Sequence, residues 1–307
     1  MIFRMLAYDK FYLLLCPSAG PGCLMDTLTH ALQALVPHKG AIILAFLGVF
    51  LIGGVLLPFA KPQARPIRRI AKNLSLVGIN ALVSPLLVIP VTVFAAQWAL
   101  TWRPDWWQGG LGLTLDFVLL DVWLYVWHRA NHVFPVLWRF HEVHHLDETL
   151  DASTALRFHF GEVIASSLLR AVVIFLLGVP LASVLLFEIV VAMAAIFHHS
   201  NLRLPATLER ALAWVIVTPS IHWVHHHAKR ADTDSNYATV LSVWDRVFGS
   251  RSAMVRTVAM QMGVEAGRDL GFVGLVARPF VGPRSIRPNQ SRSVEQRVPA
   301  RQSKPLK

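Results

Sequence analysis

The chain has 307 residues, 54% of them hydrophobic and 15% charged, and a formal net charge of +11. Soluble domains carry about 25% charged residues, so this composition points to a bilayer and away from an aqueous globule. In so apolar a chain a basic excess signals topology or attraction to anionic headgroups, and no nucleic-acid partner is expected. The two cysteines, Cys16 and Cys23, cannot build a disulfide framework or a thiolate metal site. Any metal must be held by imidazole or carboxylate.

Residues 1–40 form an N-terminal segment without a legible element. Phe11–Cys16 is a short apolar patch with no small-residue cleavage site after it, so no signal peptide is expected; Met25 offers a second start. His30 and His38 stand apart from the other histidines and are read as incidental. The first span is Ala41–Ala60, twenty residues without a charge. At ~1.5 Å per residue it covers ~30 Å, the thickness of the hydrocarbon core. Lys61–Lys72 follows as a loop with five basic residues (Lys61, Arg65, Arg68, Arg69, Lys72) and no acidic one, which places it on the cytoplasmic side. Leu74–Leu100 is a second uncharged span, bent at Pro85 and Pro90. Trp102, Trp106 and Trp107 suit the headgroup belt on the far side. Leu111–Trp127 returns the chain and delivers His128 to the cytoplasmic face. Val163–Leu177 and Leu181–Phe197 read as a helical hairpin hinged at Gly178-Val179-Pro180. A membrane-embedded domain is therefore expected over residues 41–250, and 251–307 is a basic C-terminal tail. From about residue 281 that tail has seven Lys/Arg against one Glu and is expected to be disordered.

Twelve of the fourteen histidines lie between His128 and His227, all on one side of this topology. They fall into clusters: His128/His132, His141/His144/His145, His198/His199 and His222/His225/His226, with His159 alone. Helical residues three and four apart share a face, so H-x-x-x-H clamps one ion and H-x-x-H-H can touch two. Two three-histidine clusters, a pair and a single supply nine imidazoles, too many for one ion and suited to two. Imidazole accepts iron, zinc and copper alike. The segment His141-Glu142-Val143-His144-His145 also satisfies H-E-x-x-H, the zinc-protease signature with Glu142 as base, but that reading leaves the other clusters without a purpose. A metal transporter would carry its ligands near the bilayer midplane, not at an interface. Asp121 lies two turns before His128 within an apolar span and is expected to orient His128 or His132. Glu162, Asp234 and Asp245 are weaker candidates to hydrogen-bond ligating rings from behind, and Trp244-Asp245-Arg246 also reads as a structural clamp. Asp116 is expected to be solvated or paired.

The order and spacing of these motifs resemble the fatty acid hydroxylase/sterol desaturase superfamily. The run Asp121…Tyr125-x-x-His128-Arg129-x-x-His132 carries the resemblance, with Leu137-Trp138-Arg139-Phe140-His141-x-Val143-His144-His145. So do Arg157-x-His159-x-x-Glu162, His199-Ser200-Asn201, Thr218-Pro219-x-x-His222-x-x-His225-His226, and Asn236-Tyr237…Trp244-Asp245-Arg246-x-Phe248-Gly249. Trp223, Ala238 and Ser250 depart from the residues common in that pattern.

The resemblance covers roughly residues 40–250. It implies an all-α membrane helical bundle with a cytosolic histidine-rich cap holding two iron ions, with zinc possible in isolated protein. It also implies O2 as co-substrate, a lipid to be hydroxylated or desaturated, and a separate electron donor of the cytochrome b5, ferredoxin or reductase type. The ligands it implies are His128, His132, His141, His144, His145, His199, His222, His225 and His226, with His159 and His198 as ligands or neighbours. An inner-membrane location with the histidines facing the cytoplasm is expected.

Overall fold

A computed structural model describes residues 38–61 and 66–281. Cys16, Cys23, Met25, His30, Arg65 and the tail beyond residue 281 lie outside the described residues. The apolar runs fold as helices because a bilayer offers no partner for backbone N–H and C=O groups, and a helix satisfies them within one segment. Helix α1 spans Lys39–Leu56, and α2 spans Pro66–Val83. A π-helical turn, Ser84–Val88, joins α2 to α3, Ile89–Gln97, in one 32-residue rod. Helix α4 is Gly109–Val133, α5 Pro135–His145, α6 Phe160–Leu177, α7 Leu181–His199, α8 Ala206–Leu212 and α9 Pro219–His225. Among the described residues the only β-type pairings are isolated bridges.

Among the described residues five helical rods are long and apolar enough to cross a membrane: α1, α2 with α3, α4, α6 and α7. Their outer faces carry Leu44, Val49, Ile52, Leu82, Leu86, Leu169 and Val172 to the outside of the bundle. Such surfaces suit hydrocarbon, not water. The inner faces meet in a core built on Leu120, Ile174, Val184 and Phe187. The protein is thus an all-α membrane bundle.

The second rod begins earlier than its hydropathy suggests. Pro66 opens the helix, where a missing N–H costs nothing, so Arg68, Arg69 and Lys72 sit on its first turns and not in a loop. Carboxylates from the cap receive these charges: Arg69 pairs with Asp147 at 2.7 Å and with Asp151, and Lys72 pairs with Asp269. The bend expected from Pro85 and Pro90 takes the form of the π turn. At the far end, Gly178 turns α6 into α7 with φ +64°, and a Cβ there would stand 2.6 Å from the carbonyl oxygen of Leu100. Asp116 is buried and paired, accepting from Arg103 at 2.6 Å, Trp107 at 3.2 Å and Ser183 at 2.6 Å. After the expected domain end the chain stays packed: Met262 and Leu275 are buried, and Asp269 pairs with Arg157 at 2.6 Å.

Candidate metal centre

Helix α4 continues past the apolar span, so His128 and His132 project from one face of its last turns. Pro135 starts α5 at once, and this short helix carries His141, His144 and His145. Helix α7 ends on His199. Pro219 starts α9, which bears His222 and His225 with His226 directly after it. All nine side chains are buried. They form two groups: His128, His132, His141, His145 and His225, and then His144, His199, His222 and His226, the ligand atoms in each lying within 4.8 Å of one another. The two H-x-x-H-H runs each serve both groups, as helical spacing allows.

The protons show what the groups are built to hold. A carbonyl oxygen can only accept, so a ring nitrogen facing one must carry the hydrogen, leaving the other nitrogen as a bare lone pair. His128 donates from Nδ1 to the carbonyl of Tyr237 at 2.7 Å, and His141 from Nδ1 to Glu162 at 2.8 Å. Their Nε2 atoms nevertheless face each other at 3.1 Å. In the second group His199 donates to Ala195 at 2.7 Å and His144 to Arg157 at 3.2 Å, again with Nε2 atoms 3.1 Å apart. Two lone pairs at that distance repel unless a cation lies between them. One ion held by imidazole nitrogens at ~2.1 Å sets its neighbouring ligands ~3 Å apart. His225, whose Nδ1 donates to Ser235 at 2.7 Å, and His132 each leave a buried Nε2 without a partner. This donor set fits two metal ions.

Outside the spanning helices, His144, His145, His222, His225 and His226 are all held well below the ordinary histidine range. Burial is the main cause, and repulsion from neighbouring rings adds to it. These imidazoles are therefore neutral near pH 7, the form that binds metal.

One expectation changes in the structure, and His159 and His198, expected as ligands or neighbours, fall outside both groups. Asp121 does not reach a histidine: its Oδ2 accepts from Trp244 Nε1 at 2.8 Å and from the Leu241 amide at 3.0 Å. Two turns along the helix it faces the returning C-terminal segment, not the rings. His159 lies outside both groups; its Nδ1 accepts from Gly161 at 3.0 Å as the N-cap of α6, and its Nε2 donates to Val276 at 3.0 Å. His198 is also outside them, although its ring centroid is 3.9 Å from that of His222 and its Nδ1 is buried without a partner. Glu142, the base a zinc protease would need, accepts both Nε and Nη2 of Arg278 at 2.9 and 2.8 Å. Its carboxylate is occupied away from the rings.

The residues behind the histidines come mostly from one segment. Asp234 lies 3.3 Å from His132 Nδ1, while the carbonyls of Ser235 and Tyr237 receive His225 and His128. Asp245 fixes that segment by accepting the amides of Tyr237 at 2.7 Å and Ala238 at 3.2 Å, so it acts through the backbone. Asn236 takes φ 53° here, a left-handed conformation that asparagine tolerates. Asn201 exchanges two hydrogen bonds with Ala60 and ties the end of α7 to the chain leaving α1. Arg157, fully buried, donates to the Val143 carbonyl at 2.7 Å and so braces α5. The polar residues of the Asn-Tyr and Trp-Asp-Arg motifs were the sequence signal for this scaffold; the carbonyls themselves leave none.

A cavity of about 400 Å³ opens beside the rings. His128, His141, His144 and His199 border it, and Leu124, Phe187 and Val191 supply apolar wall. The class is therefore a membrane bundle with a buried polyhistidine centre able to hold two ions next to an apolar cavity.

The fatty acid hydroxylase family model matches residues 113–250, and over that segment the chain is similar to that family. It is similar to the ornithine lipid hydroxylase OlsE of Rhizobium tropici, 29% identical over 196 residues, which are 64% of this chain and 58% of that protein. It is also similar to the alkylglycerol monooxygenase of Xenopus tropicalis, 31% identical over 50% of this chain and 31% of that protein. With the fatty acid hydroxylase vlmA of a Lecanicillium species it shares 26% identity over 50% of this chain and 45% of that protein. The chain thus spans from about a third to somewhat over half of these relatives. No solved structure matches it.

Proposed function

We propose that the chain is a membrane-bound, O2-dependent oxidoreductase that hydroxylates a C–H bond of a lipid at a dinuclear iron centre facing the cytoplasm. The observation that carries this reading is the pair of buried histidine groups whose bare nitrogens face one another beside an apolar cavity. The hydroxylase and monooxygenase activities named for the relatives support it, and the basic residues from Lys61 to Lys72 support the cytoplasmic side.

An alkyl C–H bond has no acidic proton, so acid–base residues alone cannot cleave it. When bound, the metal pair supplies O2 activation, drawing two electrons from an external donor. His128, His132, His141, His145 and His225 would hold one ion, and His144, His199, His222 and His226 the other. Glu162 and the carbonyls of Tyr237, Ser235, Arg157 and Ala195 keep the Nδ1 hydrogens in place, so the opposite nitrogens stay free of protons. The apolar walls exclude water and align one carbon of the chain with the centre.

The test is lipid mass spectrometry of cells producing the chain, beside His144→Ala and His225→Ala variants. Wild type is expected to add one oxygen to a membrane lipid, and neither variant should. Equal oxidation by both variants overturns the ligand assignment, and a product lacking two hydrogens would indicate desaturation instead.

A further inference from the structure

Three charges meet at the end of the cavity away from the histidines, Lys39 from the first residue of α1 and Arg170 and Glu188 from within α6 and α7. Glu188 on α7 accepts Lys39 Nζ through Oε2 and Arg170 Nη2 through Oε1, each at 2.8 Å. Arg170 and Glu188 each lie seven residues from the far end of their helix. That is ~10 Å inside the bundle at 1.5 Å per residue. Charges at such depth are costly and mark function unless they are balanced. A tie between α6 and α7 needs one cation for the one carboxylate. The second leaves a surplus of one positive charge, with no further carboxylate among the described residues bonded to it. Both oxygens of Glu188 are already used, and Arg170 Nε is buried without a partner. All three side chains border the cavity that reaches His199, eleven residues or ~16 Å further along α7 from Glu188.

We propose that Lys39, Arg170 and Glu188 form a headgroup subsite for an anionic amphiphile, a carboxylate or a phosphate monoester, whose alkyl chain lies along the cavity toward the histidines. The surplus cation supplies the charge, and an arginine fork matches either head. The reacting carbon then lies deep in the chain, remote from the head. This subsite rests on the cavity being the lipid site of the proposed activity.

Trp123 and Trp127 border the same cavity and report its occupancy, because bromine quenches nearby indole fluorescence. The purified, metal-loaded protein in detergent is titrated with dibromostearic acid, a dibromostearoyl lysophosphatidate and dibromostearic acid methyl ester. At least one anionic probe is expected to bind ten or more times more tightly than the ester, and which one does so identifies the head. Arg170→Met, or Lys39→Met where the first does not fold, should lose that tenfold while its ester binding stays put. Glu188→Gln removes the competing anion and should bind the anionic probe as well as wild type or better. A purely structural triad would instead make Glu188→Gln as damaging as Arg170→Met, and that result overturns the proposal. Equal affinity of acid, phosphate and ester in wild type also overturns it. So does quenching that survives Trp123→Phe with Trp127→Phe. Failure of every probe, the ester included, would count against the lipid cavity itself and hence against the proposed activity.

Discussion

Removing the carboxylate behind His141 should weaken one ion and spare the other. Glu162 Oε1 accepts from His141 Nδ1 at 2.8 Å, and both side chains are buried. Among the described residues it is the closest carboxylate contact to any of the nine rings, the other being Asp234 at 3.3 Å from His132. In Glu162→Gln an amide oxygen can still accept, so only the charge assistance is lost. A bond to a charged group contributes ~1.5–3 kcal/mol against ~0.5–1.5 for a neutral one. The difference of ~1–1.5 kcal/mol corresponds to about tenfold in affinity. Glu162→Ala also frees the tautomer and the ring orientation, which raises the loss to as much as ~100-fold. Chelator competition on the purified protein in detergent, with bound metal counted at each step, should show one ion released early and the other held at wild-type affinity. His144, His199, His222 and His226 do not contact Glu162, so the second ion has no reason to leave. Wild-type retention of both ions in Glu162→Ala would refute the reasoning, as would simultaneous loss of both at an intact fold.

Asp121→Ala strips the partners of Trp244 Nε1 and Leu241 N and should cost about 1–3 kcal/mol of stability in a detergent melt, with metal stoichiometry unchanged. Metal loss from a folded Asp121→Ala protein would restore it as an orienting residue. His159→Ala should likewise keep both ions, losing about 1 kcal/mol with the α6 cap. Gly178→Ala sets a Cβ 2.6 Å from Leu100 O at positive φ and should lower the melting temperature, costing at least about 1–2 kcal/mol. For pH, the shifts of His144, His145, His222, His225 and His226 are all downward. The unfolded chain then binds protons from ~6.5 downward while the fold does not, so metal-free stability is full above that value and falls as pH drops below it. Melting of the metal-free protein from about pH 7.5 to about pH 5.5 checks this. A flat or rising profile would contradict it.

The bundle was legible because hydrocarbon leaves a chain few options. Runs such as Ala41–Ala60 can only be helices there, and their ends were misjudged where charge and helix coexist. Arg68, Arg69 and Lys72 read as loop because hydropathy treats each charge as solvated. Asp147, Asp151 and Asp269, distant in sequence, neutralise two of them on the helix. The histidine clusters were legible for a different reason. Spacing of three and four puts rings on one face whatever the rest of the chain does, and nine such rings meet in two groups.

Orientation of those rings was much less legible, and Asp121 shows why. Its spacing from His128 correctly put both on one helix face, but a face is about 100° wide. Which neighbour fills each part of it depends on the return path of the chain. Here residues 234–245 come back across α4, so Trp244 and Leu241 take Asp121 while Ser235 and Tyr237 offer carbonyls to His225 and His128. A carbonyl has no side-chain identity, so no substitution pattern or spacing could mark those two acceptors. What the sequence did mark was the clamp that aims them: Asp245, whose carboxylate holds the Tyr237 and Ala238 amides. Burial pushes Asp245 above the ordinary carboxylate range, and Ser250, these amides and the charge of Arg251 offset that in part. The motif residues therefore fix backbone as much as they touch rings, and the tautomers of His128 and His225 follow from where that backbone is held.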